Sequence, residues 1–130
     1  MALFAGRPMV TIYGIKNCET MKKAFAWCEA QGVEYRFHDY KKAGVPRERL
    51  VQWCRHLGWK TLVNSRGTTW RKLAPEQQAI ATQSQAVALM LEYPSLIKRP
   101  VVEVTTAQGE QLLVGYTPEL FASFLKAAGR

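Results

Sequence analysis

The residues able to do covalent chemistry gather in one short stretch, Thr11-Ile12-Tyr13-Gly14-Ile15-Lys16-Asn17-Cys18-Glu19-Thr20-Met21-Lys22-Lys23. A thiol there could act as a nucleophile, provided that it ionises, because the thiolate is the attacking form. The pattern favours ionisation. Val10 to Tyr13 reads as a strand, Gly14 as a tight turn, and a helix starts at or just after Cys18. A sulfur at that point meets the free N–H groups of a first helical turn, with Lys16, Lys22 and Lys23 close by in sequence. The competing reading is a buried cysteine that merely opens a helix, since free cysteine is among the most buried residue types. On the local pattern alone the two stand level.

The other two cysteines separate these readings. The first helix should run from about Cys18 to Gln31 and stop at Gly32. Met21, Ala24, Phe25 and Cys28 fall on one face of it, so Cys28 is a core residue. Cys28 also lies roughly 15 Å along the helix from Cys18, at ~1.5 Å per residue, beyond the ~7 Å reach of a disulfide. A second helix, opened by Pro46 and ended by Gly58, carries Leu50, Trp53, Cys54 and Leu57 as its apolar stripe, which makes Cys54 core as well. By elimination Cys18 is the cysteine placed for chemistry. With three cysteines, no C-x-x-C pair, and His38 and His56 off zinc-ligand spacing, neither a structural metal site nor a disulfide framework is expected.

The elements around these helices follow in order. Val33 to Tyr40 alternates as a second strand, with Val33, Tyr35 and Phe37 on one face and His38 on the exposed one. Lys41 to Val45 reads as a polar loop. Thr61 to Leu73 lacks a clean period and reads as a loop or broken helix that could present Arg66 to an anion; a polar surface turn pinned by Trp70 is the alternative. Pro75 to Thr82 and Ser84 to Glu92 read as short helices, the second with Val87, Met90 and Leu91 inward. Val101 to Val104 and Gln111 to Gly115 form an antiparallel hairpin about Gln108-Gly109. Thr117-Pro118-Glu119 then starts a last helix whose apolar face is Leu120, Phe121, Phe124 and Leu125.

A chain of 130 residues, 48% hydrophobic, suits one domain with its own core. Residues 1–8 read as a disordered leader, too short for a signal peptide, with the fold over 9–130. No apolar run approaches membrane-spanning length, and a cytoplasmic protein is expected. The net charge of +8 fits an anionic small substrate, an acidic partner or nucleic acid. Nucleic acid ranks last, for want of a recognition helix or stacking platform.

The order β-α-β, helical block, β-β-α, with a lone cysteine at the first strand–helix junction and a proline just before the third strand, resembles the thioredoxin-like α/β fold, a mixed sheet with a helical insertion at about 46–93. Three motifs sharpen this: Tyr13 to Thr20, Asn64 to Leu73, and Leu96-Ile97-Lys98-Arg99-Pro100. Together they resemble the ArsC/Spx, or arsenate reductase-like, family in its YffB-type branch. The resemblance implies that Cys18 is the catalytic cysteine and that Arg99 grips an oxyanion. It also implies that Pro100 is a cis proline beside the thiol, and that Arg66 falls near a second oxyanion arginine. Lys16, Asn17 and Lys98 would complete the anion site. No cofactor would be bound. Glutathione would be the co-substrate, resolving adducts on a monothiol enzyme and presenting carboxylates to these cations. The substrate would be a small anion or a mixed disulfide.

Two departures from the family shape the expectation. The reductases carry a further arginine after the hairpin turn, where this chain has Leu112-Leu113-Val114-Gly115. One charged donor fewer costs about 1.5–3 kcal/mol of anion binding, so efficient arsenate reduction is not expected. The Spx regulators often carry C-x-x-C, where this chain has Met21 at the second position. A regulatory adaptor that binds RNA polymerase or another protein is therefore the alternative to a glutathione-dependent reductase.

Overall fold

The structure, a computed structural model, describes residues 8–128, with the side chains of 126–128 left aside. The leader expected over 1–8 falls, but for Pro8, outside the described residues. The chain divides into two compact units, one of residues 1–41 and 99–130, the other of residues 42–98.

The first unit is built on a four-stranded sheet. Its strands are β1 (Met9–Gly14), β2 (Arg36–Asp39), β3 (Val101–Thr106) and β4 (Gly109–Val114), in the order β2-β1-β3-β4. β1 pairs in parallel with β2 and antiparallel with β3, and β3 pairs antiparallel with β4. The parallel pair needs a crossover, supplied by α1 (Glu19–Ala30). The helix α8 (Pro118–Ala128) follows β4, opened by a hydrogen bond from the Leu120 N–H to Thr117 Oγ1 at 3.0 Å.

One side of this sheet carries Val10, Ile12, Val102 and Val104, packed with Met21, Ala24 and Cys28 of α1 and Phe121 and Leu125 of α8. This is the apolar core that the periodicities of both helices predict, except that Leu120, expected on the apolar face of α8, is exposed. The Phe121 ring meets Trp27 and Tyr116 edge to face at 5.6 and 4.8 Å between centroids, the arrangement that ring quadrupoles favour.

The second strand is shorter than expected. The Val33 N–H turns back to the Cys28 carbonyl at 2.8 Å, closing the end of α1, so pairing begins only at Arg36. Val33, Tyr35 and Phe37 do share a face against the core. In place of a loop from Lys41, Tyr40 opens a single helical turn, α2 (Tyr40–Ala43), while Asp39 Oδ1 accepts the Lys41 N–H at 2.9 Å.

The second unit is helical: α3 (Arg47–Leu57), α4 (Trp59–Leu62), α5 (Thr68–Lys72), α6 (Pro75–Gln78), α7 (Gln83–Glu92) and a 3-10 turn (Pro94–Leu96). Leu50, Trp53 and Cys54 are buried as the stripe predicts. The helix expected over Pro75 to Thr82 stops at Gln78, because Thr82 caps α7 instead, with Oγ1 accepting the Gln85 N–H at 3.2 Å. On α7 the inward residues are Ala86, Val87, Leu89 and Met90, and Leu91 is only half-buried. A bridge between Val63 and Ile97 ties the broken segment to the stretch ahead of Arg99.

Phe121→Ala leaves a cavity where a large ring meets two others. We expect it to lower the free energy of unfolding by about 3–5 kcal/mol in chemical denaturation. A loss under about 1 kcal/mol would mean that the core of the first unit closes without it.

Candidate active site

The site starts from strand register. Antiparallel pairing sets Tyr13 of β1 opposite Val101 of β3, so the end of β1 and the start of β3 share one end of the sheet. Cys18 follows Tyr13 by five residues, and Arg99 precedes Val101 by two. Two residues 81 positions apart in sequence (99 − 18) are thus delivered to the same place by backbone hydrogen bonds alone.

β1 runs through Gly14, where a tight turn was expected, because Gly14 pairs with Asp39; Ile15 is then buried, and the chain bends at the exposed Lys16-Asn17. The bend leads into Cys18, the N-cap of α1, with extended backbone (φ −141°, ψ 130°). The Cys18 carbonyl accepts the Lys22 N–H at 2.9 Å, the first bond of the helix. Its sulfur faces the N–H groups of Met21 and Thr20, which no earlier carbonyl can engage. The sulfur makes no side-chain capping hydrogen bond, so these N–H groups act on it as dipoles.

Across from it, the Arg99 guanidinium hydrogen-bonds the Cys18 sulfur. Arg99 is half-buried, its Nε fully so. The Arg99–Pro100 peptide bond is cis, Pro100 is buried, and its carbonyl accepts the Gly115 N–H at 2.9 Å. Gly115 holds φ +93°, a backbone region closed to most side chains, which fixes glycine at this junction.

The electrostatic balance at the sulfur has opposing parts. Partial burial pushes the Cys18 thiol up, since a charge is costlier away from water. The Met21 N–H, the Arg99 hydrogen bond and charge, and the Thr20 N–H pull it down, and together they win. Cys28 goes the other way, pushed up to about 11 by burial and by the Glu29 charge, and burial also raises Cys54. Both behave as core residues.

Of the residues expected in an anion site, the first unit holds Cys18, Arg99, Pro100, Lys16 and Asn17, the last two exposed on the bend. Arg66 and Lys98 belong to the second unit and are exposed there. The Arg66 N–H donates to Asn64 Oδ1 at 3.2 Å, and its carbonyl accepts Arg71 Nη2 at 3.0 Å. The Lys98 N–H donates to the Leu62 carbonyl at 2.8 Å.

The first unit also holds polar residues that sequence reasoning passed over. Glu103 on β3 is buried, and the Tyr13 hydroxyl donates to its Oε1 at 2.6 Å. The Tyr40 hydroxyl is buried without a hydrogen-bond partner among the described residues. His38, expected on an exposed face, is half-buried, its ring 5.0 Å from that of Tyr13 and 6.2 Å from that of Tyr40. The available signal was a charged residue inside the apolar run Val101-Val102-Glu103-Val104. No group of three or more His, Cys, Asp or Glu that could hold a metal is assembled among the described residues. No helix among them is long and apolar enough to cross a membrane.

Comparison with known proteins agrees with this fold. The model of the ArsC family matches residues 13–124. An uncharacterized protein of Haemophilus influenzae is 39% identical over 108 residues, 83% of this chain and 91% of that one. The global transcriptional regulator Spx of Streptococcus agalactiae is 24% identical over 119 residues, covering 90% of this chain and 83% of that one. Among solved structures, a YFFB protein superposes with a TM-score of 0.82 at 47% identity, over 90% of this chain and 99% of that one. An arsenate reductase (ArsC) related protein of Brucella melitensis gives 0.69 at 44% identity, over 91% and 95%.

At neutral pH iodoacetamide should label Cys18 well ahead of Cys28 and Cys54, as read by peptide mass spectrometry. A lowered thiol ionises earlier as pH rises, so its labelling should climb at a lower pH than the ~8.5 of a free thiol. Arg99→Met removes a charge that favours the thiolate and should move that climb upward. One common rate for all three cysteines would contradict the site.

Proposed function

The chain belongs to the ArsC family, and from that premise we propose that it is a glutathione-dependent monothiol reductase with the Cys18 thiolate as nucleophile. The observation that carries this is the half-buried sulfur at the start of α1, with the Arg99 guanidinium hydrogen-bonded to it. A bare helix-opening cysteine has no need of a buried arginine. A nucleophile that must meet an anion does, since the cation both holds the thiolate and screens it from the incoming negative charge.

The substrate class is a small anion or a mixed disulfide that carries carboxylates. With a glutathione mixed disulfide, Cys18 Sγ attacks the glutathionyl sulfur. An S–S bond forms between Cys18 and glutathione, and the other half leaves as a thiolate that takes a proton from water. The thiolate of a second glutathione then attacks the glutathionyl sulfur. Oxidised glutathione departs and Cys18 returns as thiolate; net, one reduced glutathione is consumed, the substrate's other half is released as a thiol, and the disulfide passes to glutathione. Met21 stands where a second cysteine would resolve the adduct internally, and Cys28 is buried with its thiol raised; both facts support an external resolving thiol. Arg99 grips the carboxylates of the incoming group, Lys16 and Asn17 on the exposed bend orient it, and Pro100 seats Arg99. Arsenate is a poor substrate in this reading, because the β4 segment Leu112 to Val114 supplies no cation.

The alternative, an adaptor that binds RNA polymerase or another protein, draws support from the 24% identity to a global transcriptional regulator. The two separate on one variant. With the mixed disulfide of glutathione and β-mercaptoethanol as substrate and glutathione as reductant, Cys18→Ser should lose all turnover above background. Arg99→Met should lower kcat/KM by about 10- to 100-fold, the worth of one charge-assisted hydrogen bond. Turnover in Cys18→Ser equal to that of the unaltered protein would overturn the enzyme reading, and retention of a protein partner by that variant would favour the adaptor.

A further inference from the structure

Glu103 is the polar residue that this mechanism does not use. It sits in the middle of β3 with 6% of its surface exposed, in a strand whose neighbours Val101, Val102 and Val104 are fully buried. A carboxylate there is expensive. Removing it from water costs several kcal/mol unless partners return that energy, and a valine would cost nothing.

Sheet geometry shows what surrounds it. Thr11 lies opposite Glu103 and Tyr13 opposite Val101, so Tyr13, Val101 and Glu103 share one side of the sheet, opposite the apolar core of Val10, Ile12, Val102 and Val104. Tyr13 reaches diagonally to give its hydroxyl proton to Glu103 Oε1 at 2.6 Å. His38 and Tyr40 lie on the same side, through a tilted ring contact of Tyr13 with His38 and an edge contact of His38 with Tyr40. One neutral hydroxyl does not balance a buried charge. A cation lies at the start of the same strand: Arg99, two residues ahead of Val101, with its Nε buried.

The Tyr40 hydroxyl registers both charges. Burial raises it most, Tyr13 and Glu103 add to that, and Arg99 opposes them. Glu103 and Arg99 therefore both act on the Tyr40 hydroxyl, and Arg99 also acts on Cys18.

We propose that Glu103, held by the Tyr13 hydroxyl, is a positioning residue for Arg99: its buried carboxylate is the counter-charge that keeps the guanidinium tucked in beside β3 and aimed at the Cys18 sulfur. The proposal rests on the reading of Cys18 as the nucleophile. Glu103 touches neither sulfur nor substrate; it acts through Arg99. That fixes the sign of its effect. Acting directly, a negative charge near Cys18 would disfavour the thiolate, and its removal would speed alkylation. Acting through Arg99, its removal lets the guanidinium swing toward water and slows alkylation.

The test is a double-mutant cycle read by the pH profile of Cys18 alkylation, with circular dichroism to confirm folding. Glu103→Gln keeps an oxygen for the Tyr13 hydroxyl and deletes only the charge. It should slow alkylation at neutral pH on the order of tenfold, the worth of one charge-assisted hydrogen bond, and shift the profile upward. Added to Arg99→Met, it should slow the reaction no further. Should Glu103→Gln not fold, Tyr13→Phe decides the matter, with the same direction expected and a smaller effect. A profile unchanged or moved downward by the variant that decides, or an effect that persists in full without Arg99, would overturn the proposal. If instead the unaltered protein's Cys18 titrates like a free thiol, the nucleophile reading fails first, and the cycle distinguishes that case.

Discussion

A half-buried sulfur carries negative charge only where fixed dipoles and a cation outweigh the solvation it has lost. In this protein the first unit is arranged around that requirement. The end of β1 places Cys18 ahead of α1, so that Thr20 and Met21 offer backbone N–H groups that no other residue of the helix can engage. The start of β3 supplies Arg99. Neither contribution is large alone, and burial works against both. Their sum has the sign that makes a nucleophile.

The sheet order explains why the two contributions meet. With β1 and β3 as central neighbours and β2 and β4 at the edges, the loops leaving β1 and entering β3 must emerge at the same end. The cis Arg99–Pro100 bond and the hydrogen bond from Gly115 to the Pro100 carbonyl settle the entry to β3. The two sides of the sheet are then divided by chemistry. One is apolar and packs on α1 and α8. The other carries a buried Glu103–Tyr13 pair, with the rings of His38 and Tyr40 in contact alongside. Stability is concentrated on the first side and polar constraint on the second, an economical division for a chain that must keep one arginine in place.

Much of this was legible in the sequence, because the signals were local. Gly14 followed by Cys18, the stripe of Met21, Ala24 and Cys28, Pro46 and Gly58 flanking α3, and Thr117-Pro118 each mark an element through backbone chemistry confined to a few residues. The lone-cysteine junction, the Arg99–Pro100 pair and the order of elements identified the ArsC family. The less legible parts depended on partners distant in sequence. Whether Val33 joins β2 is decided by a hydrogen bond back to Cys28. Whether Thr82 ends one helix or caps the next is decided by Gln85. Glu103 reads as an ordinary polar residue of a strand until Tyr13, 90 residues away, is seen against it. His38 likewise reads as exposed until the rings of Tyr13 and Tyr40 are in view.

The most direct test of the central claim observes the thiolate itself. The ultraviolet absorbance of the unaltered protein, minus that of Cys18→Ser, isolates the ionisation of this one sulfur without any reagent that must reach it. Titrated from mildly acidic to mildly alkaline pH, the difference should appear below the ~8.5 midpoint of a free thiol. A difference that rises only at or above that midpoint would show that burial wins at Cys18, and that the helix start and Arg99 together do not make a nucleophile.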